Sequence, residues 1–311
     1  MKTDTQLRSE GPPLIYDNTM LQEFAKCKRR FYWFSRGLTN LVEPAYFTWG
    51  RAWGAGVNRW HELQGEEDYL PRLAEAIAST QIEWEKSSPV EKGNDTLLNL
   101  EETLKNYSKI YGEEEPWEML YKRGELGFTI PIPGTFVSYG GAMDSAINWS
   151  GYGKMPREDK STGAYINDSY MDQWNFSSQV KGYLWAFKQL VDSSCEGVYM
   201  NIASKRNRKE PELQFRREYI RISDWELAHF VREVIEMIDD IRYEWDRWVW
   251  TKTAMRDPIV CAGGAGRSAC LYKRLCTLEL EPWEMDGKFE FSSEFAWRDE
   301  WKPWEREGEN E

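Results

Sequence analysis

The sequence predicts an α/β fold, a mixed central sheet flanked by helices, with a helical insertion near the N-terminus. Three observations predict it. Helix-period segments fill most of the chain up to about residue 111. The pattern then turns extended from 117 to 162 and again at 196–204 and 212–221. Helical periodicity returns at about 175–192 and 224–250. Helices, a strand group, a helix, more strands and a long helix is the order of a sheet with helices packed on it.

Residues 1–16 read as a loosely docked lead. Asn18 is placed to cap a helix over about 19–36, closed by Gly37. That helix mixes Leu21, Phe24, Phe31 and Trp33 with a basic run and carries Cys27. A second helix, about 47–63, contains Gly50 and Gly54. Both are poor helix formers and predict close approach by another backbone or a ligand. Amphipathic helices follow at about 67–87 and 94–111, inside an insertion spanning 64–115. Next come the extended segments containing ELGFTIPIPG, TFVSYGGAMDSAINW and Glu158–Lys160, then a helix carrying Gln179 and Tyr183. The long helix places Leu227, Phe230, Val231, Val234, Ile235, Ile238 and Ile241 at three- and four-residue spacing. A cysteine-bearing loop spans 257–277, and an acidic, Trp-rich tail occupies 281–311.

The chain has 311 residues, enough for one large or two modest domains. Its net charge of −12 provides no global field for nucleic acid or anionic membrane. Nucleic-acid binding would have to come from local basic runs: Lys26, Lys28, Arg29 and Arg30; Lys205, Arg206, Arg208 and Lys209; Arg216 and Arg217. Each run also reads as an ordinary solvated face. No stretch approaches the roughly 18–20 apolar residues of a membrane span. The polar N-terminus lacks an apolar signal core, so a cytoplasmic location is expected (host cytoplasm if the protein is viral). Reduced thiols are then expected.

Residues 141–162 concentrate the chemistry. Glu158 and Lys160 are two apart on a predicted strand, so both side chains share one face and Asp159 points to the other. Asp144 lies in the preceding extended stretch, across a Gly-containing connection of the kind that closes a β-hairpin. Two acids and a lysine on one sheet face form a metal-and-water site. The acids hold a hard divalent cation, and the lysine orients water or neutralises charge developing on a phosphate. Acid-x-Lys triplets also arise by chance, as at Asp286-Gly287-Lys288 and Glu300-Trp301-Lys302.

Of five cysteines, Cys261, Cys270 and Cys276 fall within 16 residues of a glycine-rich segment. A tetrahedral thiolate site needs a fourth ligand, and Cys27 is the candidate. Cys195, before a predicted strand, reads as a small buried residue. Four thiolates suit zinc or an iron–sulfur cluster, and spacing does not separate them.

In combination these segments resemble the RecB-like branch of the PD-(D/E)XK nucleases, in its iron–sulfur members (the AddB nuclease domain, the CRISPR-adaptation exonuclease and related phage exonucleases). Four features carry the resemblance, in the family's order. They are Cys27 followed by Arg29-Arg30-Phe31-Tyr32, Gly141-x-x-Asp144 with Glu158-x-Lys160-Ser161-Thr162, Gln179-x-x-x-Tyr183, and the C-terminal three-cysteine cluster. It covers about 17–280, outside the insertion and the tail.

The resemblance implies a restriction-endonuclease-like sheet and a Mg²⁺- or Mn²⁺-dependent DNA exonuclease. Such an enzyme acts on DNA ends or single strands in recombination, repair or phage replication, where protein partners are expected. Asp144 and Glu158 would hold the metal, with the Asp159 backbone as a further ligand and Glu125 nearby. Lys160 would position water, and Gln179 and Tyr183, on one helix face, would contact DNA or brace the site. Arg29, Arg30, Arg206 and Arg208 would bind DNA. Cys27, Cys261, Cys270 and Cys276 would hold a 4Fe–4S cluster that staples the domain over 17–280, zinc being the alternative occupant. One departure stands out. Relatives carry a metal-binding His four residues after a helical Gly. Here Gly50 is followed by Gly54 in that place, and His61 lies about 10 Å further along the helix. A catalytically degenerate, cluster-stabilised DNA-binding or structural subunit is the alternative reading, and a zinc-stapled interaction module a third.

Overall fold

The computed structural model describes residues 11–87, 89–112, 115–121, 125–206, 210–247, 258–263, 269–278, 294–297 and 302–305. Arg208, Lys209, the triplet at 286–288 and most of the 281–311 tail lie outside the described residues. The chain divides into two compact units interleaved in sequence. One comprises residues 1–42, 129–140 and 231–302, the other 43–128, 141–230 and 303–311. Among the described residues no helix is long and apolar enough to cross a membrane.

In the first unit, strand β1 (Ile15–Tyr16) precedes helices α1 (Asn18–Lys26) and α2 (Lys28–Ser35). The single helix expected over 19–36 is therefore two. Cys27 breaks it: its backbone is extended, at φ −169° and ψ 121°. Its N–H still donates to the Glu23 carbonyl, and its carbonyl accepts from Phe31. The cap also differs from the one expected. Asp17, not Asn18, accepts the Met20 N–H at 2.8 Å. Strand β2 (Leu38–Asn40) follows α2 and pairs antiparallel with a C-terminal strand at Phe295–Trp297.

The second unit holds the larger core. Helix α3 (Ala45–Glu62) packs with α4 (Tyr69–Glu85) and α5 (Leu97–Ile110). Trp49, Trp53, Trp60 and Trp84 lie buried among Ala76, Leu100, Leu104 and Tyr107. The segment read as an insertion thus supplies much of this core. The close approach predicted at Gly50 and Gly54 occurs instead at Gly56. A Cβ there would fall 2.2 Å from the Thr80 hydroxyl, whereas one at Gly54 would meet nothing within 4 Å. Gly50 faces only Ser161, at ordinary contact distance.

The sheet of this unit has five strands. In chain order they are β3 (Trp117–Met119), β6 (Ser145–Trp149), β7 (Gly153–Thr162), β8 (Gly197–Ser204) and β9 (Phe215–Arg221). Strands β4 (Leu126–Pro131) and β5 (Ser138–Met143) intervene in sequence between β3 and β6. Pairing is antiparallel except between β7 and β8, which run parallel. Their crossover contains α6 (Asp168–Asp172), a 3₁₀ turn at Gln173–Phe176, and α7 (Ser178–Leu190). Helices flanking a mixed sheet are the arrangement expected from the sequence and are consistent with a restriction-endonuclease-like fold. The long helix α8 runs Asp224–Arg247 and buries Leu227, Phe230, Val234, Ile238 and Ile241. Cys195 is buried, its thiol donating to the Gly197 carbonyl.

Candidate active site

Strand β7 is buried on both faces and charged on both. Alternation sends Glu158 and Lys160 to one side and Arg157 and Asp159 to the other. The β6–β7 hairpin, with Ser145 opposite Arg157, brings Asp144 alongside. Its Oδ2 accepts the Asp159 backbone N–H at 2.7 Å, and its carbonyl accepts from Asn58 at 3.1 Å. Gly141, three residues earlier, is required by packing. The Phe128 ring lies 2.8 Å from where a Cβ would stand, and that ring also meets Tyr183 edge-on at 6.0 Å.

Glu158 is 1% exposed. The half-buried Lys160 ammonium pairs with one carboxylate oxygen, and the other, Oε2, has no hydrogen-bond donor among the described residues. Burial, and then the Asp144 charge, push the Glu158 carboxyl up to about 8 against the opposing pull of Lys160. Burial also raises Asp144, with Lys160 opposing. Two carboxyls that resist ionisation, one of them with an unpartnered buried oxygen, suit a cation. Among the described residues no three His, Cys, Asp or Glu side chains stand ready to enclose an ion. Mg²⁺ is commonly held by one or two carboxylates with water completing its shell, so the Asp144–Glu158 pair fits such an ion.

A pH dependence follows. Between the ordinary Glu value and about 8, the folded protein keeps a proton on Glu158 that the unfolded chain has released. Raising pH through that window therefore favours unfolding of the metal-free protein. Thermal melts in EDTA should show this contribution falling from about pH 4.5 to 8. Added Mg²⁺ should offset the loss most at pH 8, where it competes least with the proton.

The opposite face of β7 carries a polar network that the sequence did not reveal. Arg157 pairs with Asp159 at 2.7 Å and reaches the Asn58 carbonyl oxygen at 2.8 Å, all buried. Asn201, level with Asp159 on β8, donates to Asp159 and also to the Tyr107 hydroxyl. Arg217 grips Glu115 through two nitrogens, at 2.8 and 2.9 Å, and donates to the same hydroxyl. His61 belongs here, its Nε2 2.8 Å from Tyr107. Burial and the positive charges of Arg157, Arg217 and Arg72 hold it well below the usual histidine range. The structure therefore links His61 to the Asp159 face and not to Glu158. A cavity of about 430 Å³ lined by Gln64, Glu115, Trp117, Glu118 and Asn148 lies at the sheet edge by β3 and β6, away from Asp144 and Glu158. An Arg-x-Asp pair offset by one from Glu-x-Lys was the available sequence signal for this network.

The other expected site residues are placed as follows. Gln179 donates to the Tyr183 hydroxyl at 2.8 Å, so this pair closes on itself across one helical turn. Glu125 is half-buried just before β4. Arg206 is exposed, with its guanidinium 4.7 Å from the Tyr165 ring and its Nε donating to the Gly163 carbonyl. Most of the other basic side chains are engaged. Lys205 pairs with Asp95, Arg216 with Asp168 and Lys28 with Glu244.

In the first unit, Cys27, Cys261, Cys270 and Cys276 are not joined in disulfides. Burial raises Cys270 and Cys276. Each also senses the charges of Cys27 and Cys261, so the four gather in one electrostatic neighbourhood. Cys270 N–H donates to the Cys261 carbonyl at 3.1 Å. Arg30 pairs with Glu23 beside Cys270, and Arg29 lies near Cys276 and over Trp33. The arginines expected at DNA thus stand beside the thiols. Four thiols are the donor type of a thiolate-bound metal centre, although no three of them are gathered closely enough here to enclose an ion.

No protein-family model matches the chain, and no curated protein matches it. Among solved structures, SSO0001 is similar over 89% of this chain and 93% of its own, at 14% identity and a TM-score of 0.36. An alkaline exonuclease, LHK-Exo from Laribacter hongkongensis, is similar over 64% of this chain and 94% of its own, at 13% identity and a TM-score of 0.29. Likeness at this level carries no argument about activity, which rests on the side chains.

Proposed function

We propose that the protein is a divalent-metal-dependent DNA exonuclease of the RecB-like PD-(D/E)XK type, acting on DNA ends or single strands. The observation that carries this is the buried Glu158, held between Asp144 and Lys160 with the Lys160 ammonium as the one donor to its carboxylate among the described residues. Asp144 and Glu158 would hold Mg²⁺ or Mn²⁺, the Asp159 carbonyl being a further ligand. When bound, the cation polarises a phosphate oxygen and acidifies its water. Lys160 presents the positive charge that orients the attacking water and meets charge developing on the phosphate. The Asp159 N–H fixes one Asp144 oxygen, and Arg157 fixes Asp159 from behind. Incubating end-labelled single-stranded and duplex DNA with Mg²⁺ or Mn²⁺ tests the reading. The wild type should degrade DNA in a way EDTA stops, and Glu158→Gln should not. Equal degradation by both would refute it.

The open space at Gly54 and the placement of His61 favour one second reading, a cluster-stabilised DNA-binding subunit without activity. DNA binding without metal-dependent cleavage would establish it.

The four cysteines are proposed to hold a 4Fe–4S cluster. Anaerobically purified protein should be brown and contain iron, and Cys27→Ser should lose both colour and iron. Colourless wild type loaded with zinc would overturn the cluster.

A further inference from the structure

Strand β7 leaves the candidate site through Thr162, on the Glu158–Lys160 face, and enters the connection 163–177. That connection carries four aromatic side chains in twelve residues: Tyr165, Tyr170, Trp174 and Phe176. The Tyr170 phenol sits against the Thr162 side chain, within reach of the Lys160 charge. Trp174, half-buried, meets Tyr170 edge-on at 6.3 Å. Beyond them Phe176 is 80% exposed and Tyr165 is 53% exposed. Single exposed apolar residues need no explanation. Here two of them flank, in sequence, a pair of rings anchored at the strand that carries Lys160.

The charge beside Tyr165 is positive. Arg206 lies over Tyr165, exposed, and no described carboxylate pairs with it. Of the two acids in the connection, Asp168 is paired with Arg216, and Asp172 is exposed between Tyr170 and Trp174. Exposed aromatic rings with an adjacent guanidinium are the chemistry that binds unpaired bases, whose π-faces stack without regard to sequence. A paired duplex hides those faces.

We propose that the 163–177 connection is a stacking platform for the unpaired bases of a single DNA strand whose phosphate enters the Asp144–Glu158–Lys160 site. Tyr165 and Phe176 are its outer contacts. The proposal rests on the nuclease reading for its direction, yet it is tested apart from cleavage.

Binding is measured in EDTA by fluorescence anisotropy, using the full chain with a labelled oligo-dT and an abasic oligonucleotide of the same length. Wild type should bind oligo-dT more tightly than the abasic strand. Tyr165→Ala/Phe176→Ala should weaken oligo-dT binding about 10- to 100-fold, the effect of losing one or two stacked bases, and leave the abasic strand unaffected. Both side chains are exposed, so unchanged thermal melting is expected, and Phe176→Ala alone should show part of the loss. Unchanged oligo-dT affinity in the double variant, or equal loss on both strands, overturns the platform. So does a wild type that binds neither strand, which would leave this face to a protein partner. A wild type that binds as expected but never cleaves with Mg²⁺ or Mn²⁺ refutes the nuclease reading alone. Cleaving enzyme whose double variant binds normally refutes the platform alone.

Discussion

Lys160→Ala will lose roughly 100- to 1,000-fold in kcat at saturating Mn²⁺, the cost of removing one preorganised charge from a transition state, while its near-UV circular dichroism stays that of the wild type. The ammonium is half-buried against a carboxylate that has no other donor. Its removal leaves Glu158 facing Asp144 with nothing to oppose the repulsion, so Glu158 becomes harder still to ionise. Mn²⁺ binding should therefore persist but need a higher pH. A purely structural lysine would not shift that profile. Single-turnover assays across pH, with Mn²⁺ binding measured alongside, separate the two. An unchanged kcat would remove Lys160 from the site.

Arg157→Met will destabilise the protein by about 3–5 kcal/mol, the usual consequence of removing one partner of a buried ion pair. Arg157 and Asp159 are both buried, 2.7 Å apart; Asn58 accepts from Arg157 and Asn201 donates to Asp159, while Arg157 Nη1 has no partner among the described residues. Methionine fills much of the volume but leaves the Asp159 charge with only Asn201 and weakly placed neighbours. The double variant Arg157→Met/Asp159→Leu should recover part of the loss, because the stranded charge is gone. Because Asp159 also holds Asp144 through its backbone, Arg157→Met should weaken Mn²⁺ binding as well. Urea unfolding of the three proteins checks the order. Arg157→Met with wild-type stability would mean that the pair does not form.

The front of the site was legible from sequence because a strand has a period of two. Glu158-x-Lys160 and the Gly141-x-x-Asp144 hairpin need only local geometry to be placed together. The back was not legible. It joins Arg157 to Asn58, Asn201 to Asp159 and Tyr107, and Arg217 to Glu115, pairs separated by 42 to 102 residues. Periodicity carries no information about such pairings. The surroundings of His61 were not legible for the same reason: its helix face could be read, but not which side of the sheet that face meets. The basic runs show charge without partners, and most of their members turn out to be paired. Gly56 rather than Gly54 takes the close helix approach because the facing residue, Thr80, belongs to another helix. The aromatic composition gave no reason to single out Tyr165 and Phe176 until the strand leading into them was placed.

The most direct test of the Asp144–Glu158 metal site is calorimetric titration of the metal-free protein with Mn²⁺ at pH 8. Wild type should bind at a site that Asp144→Asn and Glu158→Gln each abolish and that Lys160→Ala retains with weaker affinity at this pH. Wild type that binds no Mn²⁺, or binds it equally well in Glu158→Gln, would contradict the account.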